Sequence, residues 1–248
     1  MTLDVNGVFG DAWRLWKRDR DLLIGVAGFF LFVPELAMKL FVALPPKTPA
    51  SLDRAALRAW LDAMESWSDQ YSLRVALLAL VSLFGVVAVF SLYLDPERPD
   101  VRRALVRALR LFPRFLLLSF LVAIPVYFGL MLLYLPGFYA QGRLMLAAPV
   151  AVADQPCGAV RSMSRSLVLT RGHGLILAGF GCMSLLAGNL LSWPFEVIGG
   201  MLDGAPMANP VVAALLDIGA AAGSTVGVLG AVLVQIALYR RLTSSRGI

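Results

Sequence analysis

Apolar positions along the chain fall into long runs, with polar positions gathered between them. A helix crossing a bilayer needs about 20 mostly apolar residues. Five runs reach that length: residues 22–44, 75–94, 115–135, 174–194 and 218–239. A sixth, 138–153, is shorter and carries Arg143. It continues the third run, and the joint stretch 115–153 is too long for one crossing. Pro136-Gly137 is the natural break. The first run is imperfect because it contains Pro34, Glu35 and Lys39, whereas the second carries no charge.

The polar segments have a helical period of their own. In residues 101–112, Val101, Leu105, Ala108, Leu109 and Phe112 share one face. Arg103, Arg107, Arg110 and Arg114 share another, at steps of four, three and four. That pattern predicts a helix lying in the membrane interface, apolar side down. Residues 159–169 repeat it more weakly, with Val160, Met163 and Leu167 opposite Arg161 and Arg165. Residues 9–20 do so with Trp13 and Trp16 near Arg14, Lys17 and Arg18. Each such helix precedes two apolar runs, which predicts three structural units, 1–94, 95–153 and 154–248, within one membrane domain. Ala12-Trp13-Arg14, Leu105-Val106-Arg107 and Ala159-Val160-Arg161 occupy similar places in them. Residues 51–71 form a further amphipathic stretch whose stripe includes Leu57, Trp60, Leu61, Met64, Trp67 and Tyr71, suited to the outer headgroup level.

Charge decides whether the short fourth run crosses, because Lys and Arg are enriched on the cytoplasmic side. With six crossings, sixteen of the 22 basic residues fall on that side. Only Lys47, Arg54, Arg58 and Arg74 lie outside, while Lys39 and Arg143 lie within spans. With five crossings, the later basic clusters would be displaced outward. The expected fold is therefore all-α and integral to the membrane. Six transmembrane helices form three hairpins, each preceded by an amphipathic interfacial helix, with both termini cytoplasmic. Composition agrees: 59% of residues are hydrophobic and 15% charged, against about a quarter charged in soluble domains.

The net charge of +6 sits beside apolar runs, so anionic lipid headgroups rather than nucleic acid are the expected partner. Residues 1–21 are too polar for a cleavable signal peptide, and the first run is expected to act as an uncleaved anchor. Cys157 falls in a cytoplasmic segment and Cys182 within a span, so no disulfide is expected. Two separated cysteines and the lone His173 cannot build a zinc site. No cofactor is implied.

From Leu135-Pro136-Gly137-Phe138-Tyr139 through Gly142-Arg143, the motif continues with Ala148-Pro149-Val150. It ends with Ala159-Val160-Arg161-Ser162-Met163-Ser164-Arg165-Ser166 and Leu169-Thr170-Arg171-Gly172. In this stretch the chain resembles a bacterial multi-pass membrane family related to the membrane domain of some glycerophosphodiester phosphodiesterases. The motif covers about 40 residues. Asp154 stands near the acidic position that follows Ala-Pro in that family. The resemblance implies the fold and a bacterial inner-membrane location. The sequence contains no phosphodiesterase domain, so that activity is not implied.

Ionisable groups inside a bilayer are costly and need a reason. At 1.5 Å per residue, Arg143 lies roughly 16 Å and Glu35 roughly 21 Å from the inner edge. An ion pair between them is the sharpest structural expectation. The local alternative pairs Glu35 with Lys39, i to i+4, and gives Arg143 to backbone carbonyls freed near Pro34 or Pro136. Glu196 and Asp217 are expected at the solvated outer rim. Gly219, Gly223 and Gly227 let another helix approach, either within the chain or from a second copy.

Arg102, Arg103, Arg107, Arg110, Arg114, Arg161, Arg165 and Arg171 are the candidate contacts for anionic lipid. Their other role is topological, and the two are compatible. The hydroxyls of Ser162, Ser164, Ser166 and Thr170 have no partnered base, and no carboxylate pair, phosphate loop or nucleophile triad is evident. Two functions follow. One is a non-enzymatic protein that organises lipids or protein partners through basic amphipathic helices. The other is a small transporter for a lipid-related or amphipathic substrate, using Glu35 and Arg143. A water-filled cavity reaching Arg143 would favour the second.

Overall fold

The computed structural model describes residues 4–51, 53–95, 100–155, 157–202 and 209–244, and among them every regular element is helical. Arg98 and Arg246 of the basic clusters lie outside the described residues. Five helical paths are long and apolar enough to cross a membrane: Val5–Phe41, Arg54–Leu94, Val101–Leu133, Gly174–Met201 and Pro210–Ser244.

The first path begins with α1 (Val5–Ala27), capped by Asp4, whose carboxylate accepts from Gly7 N. It bends at Asp19, whose φ of −122° and ψ of 26° leave the helical region. The bend falls where the basic amphipathic segment meets the first apolar run. A π turn, Gly28–Phe32, follows and leads into α2 (Val33–Phe41). Pro34 explains the irregularity: it has no N–H for the i to i−4 ladder, and a local π register accommodates the loss.

Helix α3 (Arg54–Leu94) is one rod of 41 residues, about 61 Å long. The expected outer interfacial helix and the second span are thus continuous, because no helix breaker separates Tyr71 from Val75. Its aromatic stripe holds the incoming loop: Trp67 Nε1 donates to Ala43 O (2.7 Å) and Trp60 Nε1 to Pro46 O (3.2 Å). Helix α4 (Val101–Leu133) likewise merges the second basic segment with the third run. It ends at Tyr134, a non-glycine residue at φ +57°.

The fourth run is not one helix. It divides into α5 (Leu135–Leu144) and α6 (Ala147–Ala153), with Met145 and Leu146 between them. Neither piece alone is long enough to span. Helix α5 folds back on α4, so closely that a Cβ on Gly137 would strike Leu130. At the other end, Arg107 donates to Val152 O (3.1 Å), and Asp154 accepts from Tyr239 Oη (2.9 Å). Residues 135–154 therefore run from the far end of α4 to the layer that holds the C-terminal ends of α3 and α9.

Helix α7 (Ala159–Leu169) turns at Gly172, whose φ of +89° suits glycine, into α8 (Gly174–Leu202), which forms a hairpin with α9 (Pro210–Ser244). Each glycine of the α9 stripe faces α8. A Cβ on Gly219 would meet the Phe195 ring, on Gly223 the Leu191 carbonyl, and on Gly227 the backbone of Gly188. The same close approach joins α5 to α8 at Gly142 and Gly181. The core lies toward the C-terminal ends of α3 and α9, where Val87, Val89, Phe90, Ile236 and Leu238 are fully buried with Leu23. By contrast, Phe120, Ile124, Phe128 and Met131 of α4 are exposed, as lipid-facing side chains are.

Candidate functional site: a polar layer, an arginine clasp and two cavities

The ends of the helices meet in a layer of ion pairs. Asp19 at the α1 bend accepts from Tyr93 Oη (3.0 Å) and from Arg18. Arg240 donates to Tyr93 O. Asp154 joins Tyr239 to Arg165 (2.7 Å). Arg241 bridges to Asp11 and to Asp4 (3.5 Å), and Arg107 pairs with Asp95.

This layer divides the eight candidate lipid contacts. Arg107 and Arg165 are consumed by the Asp95 and Asp154 carboxylates. Arg102, Arg103, Arg110, Arg161 and Arg171 are exposed and make no ion pair among the described residues. Arg114 is also exposed and reaches Gln155 Oε1 (3.4 Å).

In α4 most of the stripe expected to face the membrane packs on the protein: Ala108 is buried and Leu105 and Phe112 lie against the core, while Leu109 is exposed. In α7, Val160 and Leu167 face outward with Val168, and Ser162, Ser166 and Thr170 are buried. The reason is local. Each hydroxyl donates within the protein: Ser162 to Gly158 O (3.0 Å), Ser166 to Arg143 O (2.8 Å) and Thr170 to Ser166 O (2.7 Å). A buried hydroxyl with a partner costs little, and an outward apolar face suits a lipid surface.

The structure does not bring Glu35 to Arg143. Arg143 Nη2 donates to Leu167 O (2.7 Å), and its guanidinium lies 5.9 Å from the Tyr139 ring centroid. Leu167 sits in the last turn of α7, where carbonyls lack helical partners. Arg143 lies in the last turn of α5, and its own freed carbonyl accepts from Ser166 and, at 3.3 Å, from Thr170. Arg143 thus clasps two helix ends reciprocally. A carbonyl partner was expected near Pro34 or Pro136; the carbonyl used is on α7. Lys39 is not paired with Glu35 either. Its Nζ lies 2.8 Å from Glu196 Oε1, tying α2 to α8, so Glu196 is not merely a solvated rim residue. Glu35 is half-buried and makes no ion pair among the described residues.

Two cavities open near the break between α5 and α6. The larger, about 340 Å³, lies among α1, α8 and α9; its walls include Phe9, Trp13, Trp16, Met183, Val226 and Gly230. The second, about 250 Å³, is half-open like the first and lies among α3, α4, α5, α6, α8 and α9, and Gln141, Gln235, Ser119 and Ser184 line it. Met145, Ser184 and Ala231 are common to both. Neither lining contains Asp, Glu, Lys, Arg, His, Cys or Tyr. Neither includes Glu35, Lys39 or Arg143. The two glutamines are the site residues that the sequence reading passed over, although an amide in the middle of an apolar run was a visible signal.

Among the described residues no group of His, Cys, Asp and Glu could hold a metal ion, and Cys157 and Cys182 are free. Compared with protein-family models, curated proteins and solved structures, the chain matches none.

Proposed function

We propose that the chain is a non-enzymatic, six-pass protein of a bacterial inner membrane that organises anionic lipids or membrane-protein partners on its cytoplasmic face. The observation that carries this reading is the division among the arginines. Two are neutralised by carboxylates inside the fold, while Arg102, Arg103, Arg110, Arg161 and Arg171 are exposed and make no ion pair among the described residues. They stand beside outward apolar side chains, Val106 and Leu109 on α4 and Val160 and Val168 on α7. A cationic and apolar surface of this kind fits the interface of an anionic leaflet, where each well-placed arginine contributes about 1 kcal/mol.

Six crossings and cytoplasmic termini are supported by the basic-residue count and by the path of residues 135–154. The broken α5–α6 segment then serves as the fourth crossing, with its irregular backbone covered by neighbouring helices, as a bilayer requires. The bend at Asp19 suits an interfacial helix turning into a span. Kinship with the phosphodiesterase-linked membrane family is proposed on its motif residues alone.

The test is native mass spectrometry of the full chain released from nanodiscs of mixed anionic and zwitterionic lipid. Replacing these five arginines with Gln is expected to remove the enrichment of anionic lipid. Equal enrichment in wild type and variant would overturn the proposal. Transport through Glu35 and Arg143 is less well supported, because Arg143 is engaged by Leu167 O and neither cavity reaches it.

A further inference from the structure

We propose that the two cavities beside Met145 form one binding site for a neutral lipid with a single apolar tail and a small hydrogen-bonding head. The chemistry of the two spaces differs in the way such a molecule needs. The outer space is walled almost wholly by apolar side chains and is open along α8 and α9. On α9 it reaches from Val234 to Val226, the latter about 21 Å from Arg240 along the helix. The stretch from Val234 to Val226 covers about 12 Å, two fifths of a hydrocarbon core of about 30 Å. The inner space holds two amides, Gln141 and Gln235, and two hydroxyls. Their absence of charge selects against an anionic or cationic head, since an ion there would be desolvated without a counter-charge.

The polar groups are not saturated by the protein. Gln141 makes no hydrogen bond among the described residues, and Gln235 reaches only Ser184, at 3.4 Å. An amide in an apolar surround is costly without a partner, and a ligand carbonyl or hydroxyl would supply one. The outer space has the matching feature at Gly230. A Cβ there would meet nothing within 4 Å, whereas Gly219, Gly223 and Gly227 on the same helix face α8 closely. Glycine in a helix costs about 1 kcal/mol relative to alanine, and helix packing does not require it here. A tail lying against the backbone does. Met145 stands between the spaces at the break from α5 to α6. Non-helical backbone at membrane depth is tolerated where it is buried or lines a cavity, and a flexible methionine lets a head pass from the outer space to the inner.

This site is independent of the arginine rim, so the two proposals fail separately. The test uses the full chain in nanodiscs and two photoreactive probes with the same diazirine tail, a neutral monoacylglycerol and an anionic lysophosphatidic acid. The neutral probe is expected to label saturably, on peptides containing Met183 and Val226, and more than the anionic probe. Gln141→Leu is expected to reduce labelling about fivefold, the effect of losing one hydrogen bond. Ala231→Phe, which fills the shared wall by a different route, should reduce it at least as much. Arg103→Gln with Arg110→Gln should leave it unchanged. Non-saturable labelling, equal labelling by both probes, or labelling unchanged in Gln141→Leu and Ala231→Phe would overturn the site. So would cross-links from these peptides to a second chain, which would assign the groove to a protein partner.

Discussion

The two ends of the helical bundle are built on opposite rules. At the end that holds the ion-pair layer, α1, α3, α6 and α9 bury their side chains against one another, and carboxylates fix the helix ends: Asp95 to Arg107, Asp154 to Arg165 and Tyr239, Asp11 to Arg241. At the far end of α4, Phe128, Met131, Leu132 and Leu133 are all more than 60% exposed. In water that surface would drive aggregation. In a bilayer it is solvated by lipid, and apolar burial alone gives helices little reason to associate. The lesson is that cohesion at the end with the ion-pair layer comes from side-chain packing and several carboxylate ties, while the opposite end is held by backbone approach at Gly219, Gly223 and Gly227, by the Lys39–Glu196 pair and by the Trp60 and Trp67 hydrogen bonds.

Substitutions at the two ends sharpen that contrast. Phe90→Ala at the inner core, where Phe90 is 1% exposed, is expected to cost about 3–5 kcal/mol. The matching Phe128→Ala, at 69% exposure, should cost less than about 0.5 kcal/mol. Equal losses in steric-trapping measurements would break the distinction. Arg107→Gln comes next, at about 3 kcal/mol, because it removes the ion pair made by the Asp95 carboxylate, whose side chain is 10% exposed. Arg107→Gln with Asp95→Asn should recover much of that. Ser166→Ala removes one of the hydroxyls on Arg143 O and should cost about 1 kcal/mol, read as a lower melting temperature.

The smallest effect lies at the start of α3. The Asp53 carboxyl is held below the usual carboxylate range by the Ala56 N–H and by Ser51. A depressed folded value means that this stabilisation is present above the unfolded carboxylate pKa and is lost as pH falls through the folded one. The protection of the amides of residues 54–57 against exchange, relative to the intrinsic rate, should therefore fall in acid and, in Asp53→Asn, lose that pH dependence. An exchange rate that stays pH-dependent beyond intrinsic chemistry in the variant would assign it to another group.

Apolar run length made the helical membrane fold legible in the sequence, because bilayer thickness sets that length directly. Helix boundaries were less legible. Tyr71 to Val75 contains no residue that ends a helix, and Pro113, which signals an end, sits inside α4 without breaking it, so amphipathic and apolar parts fused. Depth placed Arg143 within a span, but rise along an axis carries no information on which neighbour it faces. Leu167, Ser166 and Thr170 became its partners, and Glu196 became that of Lys39. In α7 the apolar stripe pointed to a membrane-facing side, and Val160 and Leu167 do turn outward; what that stripe did not reveal is that Ser162, Ser166 and Thr170, at steps of four, mark the side packed on the protein. The break at Met145 has no Gly or Pro to announce it, since Pro149 lies beyond it in α6.

The role of the exposed arginines is tested most directly by separating charge from side-chain identity. Arg102, Arg103, Arg110, Arg161 and Arg171 would be changed together to Lys in one variant and to Gln in another. Retention of anionic lipid by the full chain in nanodiscs would then be compared at low and high salt. The lysine variant is expected to keep most of the enrichment, salt-sensitively. The glutamine variant should lose it by at least about tenfold, since each charge contributes about 1 kcal/mol. Enrichment that survives in the glutamine variant at both salt concentrations would contradict lipid binding by this rim.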